Sequence, residues 1–168
     1  MAEIKHYLQK ITDSDPVDLE EAFNTEKAVV RYSKCVGLNA KGKRKNAYIE
    51  PFAESDELRV WMDKDSVTRE ATKITMTVFI VGENLDRGRV FDKLYDYMKN
   101  GVFFYWDTAR LKKIKCILVD EFKPSEEMWY GSNPYFSVEI PLQNLWGESK
   151  TCDENGILPT ENNTDTNN

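Results

Sequence analysis

The chain carries a single histidine, His6, and none of the residue groupings that usually accompany catalysis. A general base is most often His, Glu, Asp or Lys held rigidly in a pocket. His6 falls in a polar stretch that ends at Pro16 and reads as a lead-in arm, a poor place to fix a proton acceptor. A GxSxG elbow, an HExxH helix, a Walker loop and a GxGxxG turn are all missing. Gly82-Glu-Asn and Gly88 lack the spacing that cradles phosphate. Asp63 and Asp65 form a close carboxylate pair, but Asp63-Lys-Asp-Ser66 has the composition of a polar turn. Cys35, Cys116 and Cys152 are odd in number and widely spaced, with no CxxC pair, which argues against a disulfide framework and against zinc. Cys116 reads as a core thiol. No metal and no cofactor is expected, and the chain reads as a non-enzyme.

Three groups of residues are better suited to binding. Trp129-Tyr130-Gly-Ser-Asn-Pro134 puts two large aromatics in a loop, the residue types that often carry interface energy. The same loop could pack on the core or line a small-ligand groove. Lys41, Lys43, Arg44 and Lys45 place four bases within five residues. Nucleic acid is disfavoured as their partner, because no aromatics interleave them and the net charge is −6. A solvated loop tip, or contact with an acidic neighbour, suits them better. Ile157 and Leu158 are the bulky apolar residues of an otherwise polar tail and suggest an anchor.

The elements that must position these groups follow from hydrophobic period. The 168 residues are 40% hydrophobic and 31% charged, ordinary values for a globular chain with one domain. Residues 1–16 read as an N-terminal arm, 17–146 as a β-rich domain, and 147–168 as an acidic tail that stays disordered alone. Asp18–Phe23 allows at most one turn of helix. Ala28–Leu38 reads as a strand with Val30, Tyr32 and Val36 on one face. The basic loop 37–45 could cap a hairpin returning through Tyr48 to Phe52, and Leu58–Met62 is a short strand. Ile74, Met76, Val78 and Ile80 alternate with Thr75, Thr77, Phe79 and Val81, the clearest strand in the chain.

Val90, Phe91, Leu94, Tyr95 and Met98 recur at helical spacing and predict a helix over 85–99. Asn84 or Asp86 could cap its start, and Gly101 marks its end. Strands follow at 102–106, 114–122 and 135–142, with a loop at 125–134. The order predicts an α+β fold, mainly an antiparallel β sandwich or barrel with one packed helix. No apolar run is long enough to span a membrane. Residues 1–10 include Glu3 and do not read as a secretory signal, so a soluble intracellular chain is expected.

One layout is more specific. A strand at Arg69-Glu70-Ala-Thr-Lys-Ile-Thr-Met-Thr-Val-Phe-Ile80 leads to the helix, then to Gly101-Val-Phe-Phe-Tyr-Trp-Asp107 and Arg110. Cys116-Ile-Leu-Val-Asp120 and Phe136-Ser-Val-Glu-Ile-Pro141 follow, ending at Trp146-Gly147. This order resembles the N-terminal domain of siphophage distal tail proteins and related tail-tube and baseplate-hub proteins. The segment from Asp18 through the basic loop looks like tail proteins of phages and prophages of Bacteroides-like bacteria. The resemblance covers about half the chain well. It implies a virion structural protein, made in the bacterial host cytoplasm and located in the tail. Such a subunit assembles with itself into rings, commonly hexameric, and with other tail proteins. The acidic tail and the lack of a receptor-binding extension depart from the family. A component of another injection-system-like assembly, an adaptor, or a ligand-binding module at Trp129–Pro134 are the alternatives.

Overall fold

The computed structural model describes residues 2–45, 47–51, 58–62 and 69–159, with side chains given for 2–45 and 69–159. In chain order the elements are β1 (His6–Lys10), β2 (Val17–Asp18), β3 (Ala28–Val36), β4 (Ala47–Pro51), β5 (Leu58–Met62), β6 (Thr72–Gly82) and α1 (Asn84–Lys99). Then come β7 (Phe103–Asp107), β8 (Lys112–Leu118), β9 (Lys123–Pro124), β10 (Met128–Tyr130), β11 (Asn133–Asn144) and β12 (Lys150–Thr151). The fold is α+β, an antiparallel sheet with one helix, as the periodicity predicts. Asp63 and Asp65 lie outside the described residues.

The main sheet runs β2-β1-β7-β8-β11-β6-β3. Its spine is the β6–β11 pair, in register from Tyr135↔Val81 to Asn144↔Thr72. Alternation puts Ile74, Met76, Val78 and Ile80 on one face with Val138, Ile140 and Leu142, and all are buried. Each such side chain stabilises the fold by about 1.5–3 kcal/mol when fully buried. Helix α1 covers this face with Val90, Leu94 and Met98, spaced four apart on one stripe. Its half-buried Phe91 meets Phe122 edge-on at 5.5 Å. The helix ends at Asn100, with Gly101 at φ +98°. Its start differs from the expectation. Glu83 is the N-cap and makes no side-chain cap bond, while Asn84 is already helical.

The two ends of this sheet meet. The His6 ring on β1 stacks on the Tyr32 ring on β3, with centroids 3.7 Å apart. Four strands separate β1 from β3 in the sheet order, so the sheet curls around α1 toward a barrel. Residues 19–25 close the seam. Leu19 N donates to His6 O at 2.7 Å, and Thr25 N donates to Ala28 O at 2.9 Å. The outward amides of β3 are also occupied there: Val30 N donates to Asn24 Oδ1 and Tyr32 N to Glu20 Oε1. Residues 19–23 are turns rather than helix.

Several expectations need correction. Residues 1–16 are not a loose arm, because β1 pairs with β7 and Leu8 is fully buried. In β3 a bulge between Tyr32 and Lys34 resets the alternation, leaving Val36 exposed. β3 does not form a hairpin with β4. It pairs with β6, and β4 pairs with β5 as a separate two-stranded ribbon. The segment 125–134 is a hairpin, with β10 paired to the start of β11 through Gly131 and Ser132. Gly131 has φ +61°, the left-handed geometry a two-residue hairpin loop requires. The strand expected over 114–122 stops at Leu118.

Within the described residues the acidic tail packs on the domain instead of lying free. β12 pairs with β8, Cys152 is buried, and Trp106 Nε1 donates to Glu154 O at 3.2 Å. Lys113 explains why a polar segment can pack here. Its stem is buried and its ammonium sits over Phe104 and Trp106 at 4.3 and 4.9 Å. It donates to Gly156 O at 2.7 Å. Residues 150–158 thus form a strap over the outer face of β1, β7 and β8.

Candidate functional site

The outer face of the sheet is covered unevenly. On one half the strap lies over Trp106 and beside Tyr7, and Trp146 packs on Phe104. On the other half Phe79 and Val81 of β6 and Tyr135 of β11 stay partly exposed, with Phe79 and Tyr135 edge-on at 5.6 Å. With Arg31, Tyr130 and Asn133 they line a shallow groove of about 240 Å³. The β10–β11 hairpin rises at its end. Trp129 is 63% exposed and Tyr130 80% exposed. The ladder sets Trp129 opposite Pro134 and Tyr130 opposite Asn133, so the two rings leave opposite faces of the hairpin and only Tyr130 reaches the groove.

A buried cation anchors this hairpin to the helix. Arg87 Nη2 meets Glu127 Oε2 at 2.6 Å, and its guanidinium lies over the Phe136 ring at 5.6 Å. Arg87 Nε has no hydrogen-bond partner. A buried guanidinium with one carboxylate holds that carboxylate firmly, since losing it strands a charge.

The basic residues sit elsewhere. Gly42 N donates to Gly147 O at 2.7 Å and Glu70 N to Lys43 O at 2.8 Å, tying the loop beside the start of β6. Arg69 Nη1 donates to Gly42 O at 3.0 Å and its Nε pairs with Glu148. Lys41, Lys43 and Lys45 are exposed there and Arg44 is half-buried. β11 is twelve residues long, so this loop and Trp129–Tyr130 stand about 36 Å apart at opposite ends of one strand. Ile157 and Leu158 occupy a third position, on the strap. Ile157 is exposed, and both line a hollow of about 610 Å³ with Tyr7, Gln9 and Pro16. The candidate interface residues are therefore three separate surfaces, not one site.

A polar cluster at the seam escaped the sequence reading. His6 Nδ1 and Tyr105 Oη are 3.0 Å apart. Arg110 donates to Tyr32 Oη at 2.9 Å, to Tyr105 Oη at 3.1 Å and to Asp107 Oδ2 at 2.6 Å. Burial lowers the His6 pKa, against the opposing pull of Asp107 and Glu20. Burial raises the Tyr32 and Tyr105 hydroxyls, and pushes the Cys35 thiol up to about 12. A depression of about 440 Å³ opens beside them. Its polar groups are engaged with one another, which fits a joint better than a reaction centre. The available signals were the alternation His6-Tyr-Leu8 and the pair Asp107 and Arg110.

Among the described residues no group of three or more His, Cys, Asp or Glu could hold a metal ion. No helix among them is long and apolar enough to cross a membrane. No protein-family model matches the chain, and no curated protein matches its sequence.

Proposed function

We propose that the chain is a non-enzymatic structural subunit of a phage tail, in a distal-tail, tail-tube or baseplate-hub position. It works by joining other chains, with copies of itself forming a ring. The observation that carries this reading is the half-bare outer sheet face beside the exposed Tyr130, with Trp129 exposed on the other side of the same hairpin. Aromatic anchors next to an open apolar floor are what an interface needs and what a free surface avoids. The order of strands and helix adds the tail-protein resemblance.

The test is the mass of the purified chain by light scattering after size exclusion, over a wide concentration range. A closed ring, hexameric or otherwise, is the expected result. A monomer at every concentration would overturn autonomous ring formation.

A small-ligand module is the second reading, resting on the depression at His6, Tyr32, Cys35 and Arg110. Its Arg110 charge is already matched by Asp107, so an anionic ligand would have to displace a 2.6 Å ion pair.

A further inference from the structure

We infer that copies of this chain join head to tail, the bare face of β3, β6 and β11 in one copy meeting the β1 and strap face of the next. The inference rests on the assembly reading and identifies the two surfaces that mate.

Charge is the first argument. Arg31, Lys34 and Lys73 are exposed on β3 and β6, and none has an ion pair among the described residues. They face an exposed acid only at Glu139 on β11. The strap face has the opposite sign. Glu3, Asp13, Asp15, Asp153 and Glu154 are exposed there, also without ion pairs. These five acids outnumber the bases near them: Lys5 is paired with Asp18, while Lys112, Lys113 and Lys150 are held against Thr151, the Gly156 carbonyl and Trp146. Opposite potentials on two faces of one molecule steer one face of a copy to the other face of its neighbour.

Shape is the second argument. One surface carries a knob, Tyr130 on an anchored hairpin. The other carries the hollow of about 610 Å³ between β1, Pro16 and the strap, with Ile157 exposed at its rim. Ile4 and Ile11, both about half exposed, add apolar area next to β1. Knob and hollow are different surfaces, so each knob-in-hollow contact uses unlike faces of the two copies. Engaged once per pair of copies it is heterologous, and it closes into a ring or continues as a filament, whereas a wild type that stops at a dimer would mean reciprocal, two-fold mating.

Two surface variants test this. The first, Arg31→Glu with Tyr130→Ala, disables the bare face. The second, Glu154→Lys with Asp15→Lys, disables the strap face. Each variant alone is expected to run as a monomer at concentrations where the wild type assembles. An equal mixture is expected to give a dimer and nothing larger, because one joint survives. Should the first variant lose its circular dichroism spectrum, Arg31→Glu alone carries the test, with at least a tenfold weaker assembly expected. Wild-type-like assembly of either variant, or no dimer in the mixture, overturns the two faces while the assembly reading stands. A wild type that never assembles overturns both.

Discussion

The rings of His6 and Tyr32 stack at 3.7 Å although four strands lie between theirs in the sheet order. This contact joins the two ends of the curled sheet. His6 is 6% exposed and hydrogen-bonded to Tyr105. His6→Ala should therefore open the seam, lowering the unfolding free energy by about 2 kcal/mol. Urea melts would show it. His6→Phe keeps the stack and should recover part of the loss.

The same residue sets a pH dependence. Burial holds its pKa below the ordinary 6.5, so the unfolded chain takes the proton more readily. Its contribution is complete above about pH 6.5 and is lost as pH falls through the lower folded value. The stability difference between wild type and His6→Gln should shrink as pH drops from about 7 to 5. Carboxylates common to both proteins cancel in that difference. A pH-independent difference would exclude titration of His6 as the cause.

The clamp on the aromatic hairpin is open to a direct test. Glu127→Ala leaves the buried Arg87 guanidinium without its carboxylate. Global stability should fall by about 1 kcal/mol, discounted because Glu127 is 43% exposed. Amide exchange at 123–130 should quicken more than exchange in β6. Equal change in both would mean the hairpin is held by its ladder alone.

Gly156 lies against the Trp106 indole, where an added Cβ would come within 2.5 Å of the ring at a φ of +74°. Gly156→Ala should lift the strap and lower stability by about 1–2 kcal/mol. Cleavage after Glu154 by a glutamate-specific protease should accelerate at native conditions, and Trp fluorescence should shift to the red. An unchanged cleavage rate would mean the strap yields without leaving.

All three thiols should be slow toward a thiol reagent at neutral pH. Cys116 and Cys152 are buried, and the half-buried Cys35 holds its proton up to about pH 12. Three equivalents should appear in denaturant. Fast labelling of the native chain would place Cys35 in a more open seam.

Local pattern carried most of the fold. The Ile74–Ile80 alternation, the Val90–Met98 stripe and Gly101 each act within one element, and each landed where its period placed it. What failed depended on distant partners. His6-Tyr-Leu-Gln-Lys10 is too polar to read as a strand, yet β7 supplies its ladder and a tyrosine satisfies its histidine. The strap looked disordered because its partners, Lys113 and Trp106, come from other strands. The aromatic pair at 129–130 was legible by composition, whereas its hairpin required the pairing of 128–130 with 133–135. The polar seam had only faint local signals because it gathers residues from β1, β3, β7 and the turn after β7.

Asn24 and Glu20 spend their side-chain oxygens on the outward amides of Val30 and Tyr32. That choice governs what the molecule refuses. A stray extended chain finds the amides of Ala28, Val30 and Tyr32 already taken, so cross-β growth has no template along this part of the margin. Any contact along this stretch is left to side chains, which recognise one orientation where a bare ladder would accept many.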